Sequence, residues 1–150
     1  MTEATTTEIL DGLGRHLAAR NVVRYSPDAV IDEGTIPAWI DGALPPDPDT
    51  VIAASVVSDS RDRDPYNPDV IVRLRHRAAV GANVTADDMA DLTRLVLNVP
   101  DHQYRPQVWP GGVRVIDVRR VVRAPSSSVD ANGRSVRADD YRITLTPKEI

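Results

Sequence analysis

The 150-residue chain contains no cysteine and no phenylalanine, and Lys148 is the one lysine among its 18 basic residues. The absence of cysteine excludes disulfides, thiol catalysis and cysteine-based metal sites. Without phenylalanine, the core must be built from Val, Ile, Leu and Ala, together with two tryptophans and four tyrosines. The abundance of valine favours strands.

The sequence also lacks a basic excess and a long apolar run. Its formal net charge is −4, which argues against a general nucleic-acid binder. No apolar stretch approaches the roughly 18 residues of a membrane-spanning helix, so we expect no membrane partner. The polar N-terminus, Met1 to Glu8, does not have the pattern of a signal peptide. The length and the 41% hydrophobic fraction predict one globular domain over residues 1–150.

The most informative stretch runs from Pro68 to Leu97 and changes its periodicity halfway. Its first half alternates with period two, which is typical of a half-buried strand with arginines on the wetter face. Its second half has helical spacing and begins with a capping box formed by Thr85 and Asp88. The apolar stripe of this helix is predicted to contain Met89, Leu92, Thr93 and Val96.

Other segments complete a small α+β pattern. A capping box at Thr5 to Glu8 begins a helix from about Thr6 to Arg20. Strands are predicted near Trp39 and Ile40, at Val51–Val57, Asp69–Arg77, Val113–Arg123 and Asp139–Thr146. The Ser-rich segment from Ala124 to Val136, with Asn132 and Gly133 at a tight turn, predicts a mobile hairpin tip. We therefore expect a small mixed, mainly antiparallel sheet, two helices packed on one face, and a long β-hairpin extension.

A search for catalytic patterns finds none, and we expect neither an enzyme nor a cofactor. The histidines lack metal-ligand spacing, and no glycine-rich phosphate loop links a strand to a helix. The serines at 126–128 are not in a nucleophile elbow. Adjacent aspartates point apart on a helix or strand, so they do not form an acid–base pair. These residues are His16, His76, His102, Ser126, Ser127, Ser128, Asp87, Asp88, Asp139 and Asp140.

Arginines dominate the predicted surface of the sheet. Arg73, Arg75 and Arg77 alternate on one strand, while Arg114 and Arg120 share the even-numbered side of a later strand. Arginine binds carboxylates through two parallel hydrogen bonds, so these side chains suit pairing across subunits. A solvated face without energetic consequence and a face that contacts DNA phosphate are the two alternatives.

The order of several motifs resembles the tail-terminator proteins of long-tailed phages, which are described as minor capsid proteins in phages of actinobacteria. The resemblance covers most of the chain from Leu10 onward. Its motifs are Gly42–Asp49 before a small-residue strand, Val72–Arg77, the acidic-capped helix Thr85–Leu97, Gly111–Val115, Asp130–Arg134 and Asp139–Tyr141. The proline-rich segment Asp101–Trp109 is longer than the family's pattern.

The resemblance implies a virion protein, made in the host cytoplasm and located in the tail or neck. Such a protein forms a ring with copies of itself, typically a hexamer. The ring caps the tail tube protein, ends tube polymerisation and joins the head–tail connector, while genomic DNA passes through its lumen. Candidate interface or lumen residues are Arg73, Arg75, Arg77, Arg114, Arg120, Ser126, Asn132 and Arg134. The alternatives are a head-completion neck protein, of the stopper or adaptor type, and a small cytoplasmic enzyme or regulator.

Overall fold

A computed structural model describes residues 3–26, 33–64, 66–98, 107–125 and 127–147 of the chain. It contains two helices and a mixed sheet, which confirms the predicted α+β class. The elements in chain order are α1 (Thr6–Ala19), β1 (Ala38–Asp41), β2 (Val51–Asp59), β3 (Asp69–Ala78), α2 (Ala86–Leu97), β4 (Gln107–Trp109), β5 (Val113–Val122), β6 (Ser128–Val129) and β7 (Ser135–Thr146).

The sheet has the strand order β1-β2-β3-β7-β5-β4, and the short β6 pairs with β7. Strands β1 and β2 are parallel, whereas all other pairs are antiparallel. Helix α1 contacts β1 and β2 near one edge and β4 and β5 near the other, so the sheet curls around it. Helix α2 contacts β3, β7 and β5. No helix in the described part of the chain is long and apolar enough to cross a membrane.

Both helices begin at the capping boxes that the sequence predicts. Thr5 and Glu8 exchange hydrogen bonds at the start of α1, and Thr85 and Asp88 do so at the start of α2. The two glycines of α1, although poor helix formers, permit close packing. A Cβ atom at Gly14 would overlap the indole ring of Trp39, so the helix can approach the sheet this closely only without a side chain there.

One hydrophobic cluster joins both helices to the same face of the sheet, which we call the inner face. It contains Leu13 and Leu17 of α1, Met89 and Leu97 of α2, and alternate residues of the strands between them. On β3 and β7 these strand residues are Val70, Val72, Leu74, Tyr141, Ile143 and Leu145. The packing of two helices on one face is therefore confirmed.

Two strands were not predicted, and β7 begins four residues earlier than predicted. Strand β4 lies within a segment that reads as a proline-rich loop, and β6 has only two residues. Strand β7 begins at Ser135 rather than Asp139, because residues 135–138 pair with the end of β3. Those pairings link residues about 60 positions apart, and the local sequence carries no sign of them.

The hairpin between β5 and β7 exists, but its described tip folds back instead of extending. Ser127 donates a hydrogen bond to Asp87 of α2 across 3.1 Å. Arg134 reaches the loop before β2, where it binds the Pro46 carbonyl and Asp49. The described residues therefore show no long hairpin extension, because polar groups at the tip form hydrogen bonds with α2 and with the loop before β2.

Candidate functional site

The face of the sheet opposite the helices carries four of the eight residues that the sequence predicts at an interface. We call it the outer face. No helix covers it in the described part of the chain. Its residues on the four central strands are Val51, Ala53, Ser55, Ser58, Asp69, Ile71, Arg73, Arg75, Arg77, Arg114, Asp117, Arg119, Val122, Val136, Ala138, Asp140, Arg142, Thr144 and Thr146.

The outer face is basic although the chain is acidic. It contains six arginines and three aspartates, which gives a formal charge of +3. Since the whole chain has a charge of −4, the remaining residues together carry −7. The outer face and the remaining residues therefore have net charges of opposite sign, so the face of one molecule attracts other parts of a second molecule.

Two of the predicted arginines bind partners within the sheet. Arg73 contacts the carboxylate of Asp140 through two hydrogen bonds of 2.8 and 3.1 Å, which join directly opposed residues of β3 and β7. Arg75 donates a 2.9 Å hydrogen bond to the hydroxyl of Ser55 on β2. Both arginines are half-buried and remain candidates for an interface.

Arg77 is buried, whereas the alternation of the strand predicts it on an exposed face. Its side chain lies beneath the loop before β2 and donates hydrogen bonds to the carbonyls of Pro45, Pro48 and Asp49. Only 3% of the residue is accessible to solvent. Arg77 therefore fastens this loop to the sheet and is unavailable to another subunit.

A β-bulge corrects the predicted relation between Arg114 and Arg120. The register of β5 against β7 shifts between Val115 and Asp117, so the alternation of its side chains changes phase. Arg114 stays on the outer face opposite Thr146, whereas Arg120 turns to the inner face. The two arginines therefore do not share a side of the strand.

The same bulge creates a feature that the sequence analysis missed. It places Arg119 of β5 directly across from Arg142 of β7, and Ile71 of β3 completes the row. Arg119 contacts Asp117 at 2.9 Å, and its side chain is 66% exposed. Arg142 is half-buried and has no charged partner among the described residues. The sequence holds both arginines, but only the strand register brings them together.

Two of the remaining predicted site residues, Asn132 and Arg134, lie at the hairpin tip. Arg134 is buried, and its guanidinium contacts Asp130 at 2.8 Å and Asp49 at 3.0 Å. Its predicted role at an interface is therefore corrected to an intramolecular one. Asn132 is exposed at the turn, where its backbone N–H donates to Asp130. Ser126 lies outside the described residues.

The inner face contains a buried cluster of charges under the start of α2. Asp139 is fully buried and accepts hydrogen bonds from the Arg137 guanidinium at 3.1 and 3.3 Å and from the Ala124 N–H at 3.0 Å. Arg120 adds a contact of 3.3 Å, and Arg137 also binds Asp87 of α2 at 2.8 Å. Burial raises the pKa of Asp139, but these donors outweigh it and hold the pKa below its usual value.

His76 lies beside this cluster and is held neutral. Its Nδ1 donates to the Arg137 carbonyl across 3.3 Å, and the ring is fully buried. Burial lowers the pKa of His76 to about 4, because no solvent is present to stabilise the imidazolium. Its Nε2 finds no hydrogen-bond partner among the described residues. Asp139, His76 and Arg137 are buried at the centre of the cluster, which therefore serves the fold.

A groove beside the β3–α2 loop is one candidate for a small-molecule pocket. It has a volume of about 390 Å³ and is lined by Glu33, Gly34, Thr35, Thr50, Ala79, Ala82, Asn83 and Val84. Partial burial raises the pKa of Glu33, but hydrogen bonds from Thr50 and from the Asp49 N–H outweigh it and lower the pKa overall. Glu33 is the one ionisable residue in the lining, so no acid–base pair converges there. Across the described residues, no group of three His, Asp or Glu side chains is arranged to hold a metal ion.

Comparisons with known proteins give no family for this chain. No protein-family model matches it, and a search of curated proteins finds no significant match.

Proposed function

We propose that this chain is a structural virion protein of a long-tailed phage, a tail terminator that caps the tail tube and joins it to the head connector. The order of motifs along the sequence supports the proposal, as does the α+β fold with both helices on one face of a mixed sheet. The observation that carries it is the outer face, a sheet surface that no helix covers within the described ranges. A domain normally covers both faces of an apolar sheet or keeps the open face solvated.

An arginine-rich open face suits a protein that assembles with other subunits. The row of Arg119 and Arg142 places two positive charges side by side, which is unfavourable in an isolated domain. A carboxylate from a neighbouring subunit would relieve that repulsion. A terminator needs two unlike surfaces. One binds the end of the growing tube, and the other does not offer a binding surface for a further ring of tube protein. Without the buried Arg77, the five remaining arginines and three aspartates of the outer face give a formal charge of +2, whereas the whole chain carries −4, so this face differs in charge from the molecule as a whole.

The proposed ring uses heterologous contacts, in which each subunit offers two different patches. Contacts of this type close into rings when the rotation between subunits divides a full turn. The ring is expected to have six copies and to form on the last ring of tube protein. A dilute solution of the isolated chain is expected to contain monomers, because the tube surface is the template.

Depletion of the protein tests this function against its nearest alternative. A phage that lacks a terminator should produce filled heads and, separately, tails that are overlong or unstable. A phage that lacks a head-completion protein should produce tails of normal length beside heads that lose DNA. Electron microscopy of the depleted lysate distinguishes these outcomes, and normal infectious particles would contradict both functions.

A further inference from the structure

We propose that the exposed stripe of α2 in one subunit packs on the outer face of the next subunit, at the row of Arg119 and Arg142. The stripe consists of Asp88, Asp91, Leu92 and Leu95. This inference rests on the assembly proposed above and identifies the two surfaces that meet. The neighbour's helix would supply the layer that the outer face lacks.

The row of Arg119 and Arg142 carries more positive charge than its one aspartate partner, Asp117, balances. Arg119 and Arg142 are directly opposite each other on the neighbouring strands β5 and β7. The Cβ atoms of such a pair are about 5 Å apart. Arg119 has one carboxylate partner, the half-buried Asp117 at 2.9 Å, and Arg142 has no charged partner among the described residues. Ile71 lies in the same row and is half-exposed. The row therefore suits a partner that brings both a carboxylate and apolar side chains.

Helix α2 exposes a surface of that composition. The four stripe residues have the spacing i, i+3, i+4, i+7, so they lie on one side of the helix. Leu92 is 49% exposed and Leu95 is 67% exposed, although the sequence predicts Leu92 in the buried stripe. Asp88 and Asp91 are exposed beside them, and Asp91 only approaches Arg120 and Arg123 at 3.8 and 3.9 Å.

The two surfaces also match in size and in symmetry. Helix α2 has 12 residues and is therefore about 18 Å long. The four central strands span roughly 14 Å between the outer strand axes. One patch is basic and belongs to a sheet, while the other is acidic and belongs to a helix, so the contact is heterologous and can propagate around a ring.

A second copy of the chain is favoured over nucleic acid as the occupant. Three aspartates lie on the outer face, and Asp117 directly flanks the arginine row. Phosphate backbones are bound by surfaces with a clear basic excess, and the aspartates of the outer face offset half of its six arginines. A carboxylate on a helix with neighbouring leucines fits the mixture of charge and apolar surface better.

The absence of cysteine permits a direct test by disulfide trapping. The variant with Leu95→Cys and Ile71→Cys in the same chain is introduced into the phage, and purified virions are oxidised. Neighbouring subunits should then join in series, giving a ladder of covalent multimers on a non-reducing gel. Each single-cysteine variant controls for random oxidation. Leu95→Cys with Val80→Cys controls for exposure, because Val80 is 65% exposed but lies in a loop.

Charge reversal in the trapped variant tests the arginine row itself. Arg142→Glu should reduce the covalent multimers about tenfold or more, because it places a carboxylate against a carboxylate. Arg63→Glu changes the charge equally in an exposed loop and should leave the ladder intact. A ladder that survives Arg142→Glu unchanged would overturn the role of the row.

The remaining outcomes separate this inference from the proposed function. Virions that contain the protein but give no ladder would overturn the α2 contact and leave tail termination standing. Absence of the protein from virions would overturn both. A gel-mobility shift of a 20-base-pair DNA duplex that is lost in Arg142→Glu, without a ladder, would assign the row to nucleic acid instead.

Discussion

The arginines of the inner face and those of the outer face have opposite relations to the fold. Arg137 and Arg120 converge on the fully buried Asp139, and their charges are compensated inside the domain. Arg119 and Arg142 oppose each other on a surface that reaches solvent. A buried charge that loses its partner destabilises the domain strongly, whereas exposed charges contribute little. The first group therefore maintains the structure, and the second is free to serve a partner.

The largest expected effect comes from breaking the inner cluster. Asp139→Asn should lower the free energy of unfolding by about 3–5 kcal/mol, because the guanidinium groups of Arg137 and Arg120 lose the buried carboxylate that they share. Denaturant-induced unfolding measures this change. The matched control is Asp117→Asn on the outer face, whose ion pair with Arg119 is exposed and should contribute less than about 1 kcal/mol. Equal losses in the two variants would contradict the division between the faces.

The second effect concerns pH and His76. Its pKa is about 4 in the folded protein and 6.5 in the unfolded chain, so below pH 6.5 the unfolded chain binds more protons. The contribution of His76 to the free energy of unfolding should be fully present above pH 6.5 and should decrease by roughly 3 kcal/mol as the pH falls to 4. His76→Asn keeps a donor for the Arg137 carbonyl and should remove this part of the pH dependence. The comparison requires unfolding curves of both proteins between pH 8 and pH 4.

The third effect compares two arginines of one strand. Arg77→Ser should cost about 2–3 kcal/mol, because three carbonyls of the loop at residues 45–49 lose a buried donor. Arg75→Ser removes one partly exposed hydrogen bond and should cost less than about 1 kcal/mol. Thermal unfolding of the two variants gives the comparison. A large loss in Arg75→Ser would show that the outer face also maintains the fold.

The smallest expected effect is at the arginine row. Arg142→Ser removes a repulsion between opposed like charges, so stability should stay within about 0.5 kcal/mol of the original or rise slightly. The same unfolding measurement applies, with Arg63→Ser as the control in an exposed loop. A loss above about 2 kcal/mol would place Arg142 among the residues that maintain the fold.

Local patterns predicted the parts of this fold that depend on local physics. The two capping boxes, the alternation of β3 and the helical spacing of α1 and α2 all identify elements within a few residues. These signals arise from hydrogen bonds and side-chain directions inside one element. The packing of both helices on one face followed from their apolar stripes.

The errors at the candidate site arise from contacts between distant residues. The bulge in β5 turns Arg120 inward, and it depends on the register with β7. Arg77 and Arg134 are buried because the loop at residues 45–49 binds both of them. An alternating pattern on one strand cannot show that a separate loop will cover it. For the same reason the Arg119–Arg142 row has no signature in the sequence.

The arginine row of the outer face is proposed to serve ring assembly and tail termination, and it contributes little to the stability of the fold. The most direct measurement is the length distribution of tails, by electron microscopy, in a depleted phage that is complemented with each variant. Arg63→Glu should restore tails of uniform length joined to heads. Arg142→Glu, although folded, should leave tails overlong or unjoined. Full restoration of normal particles by Arg142→Glu would contradict the claim.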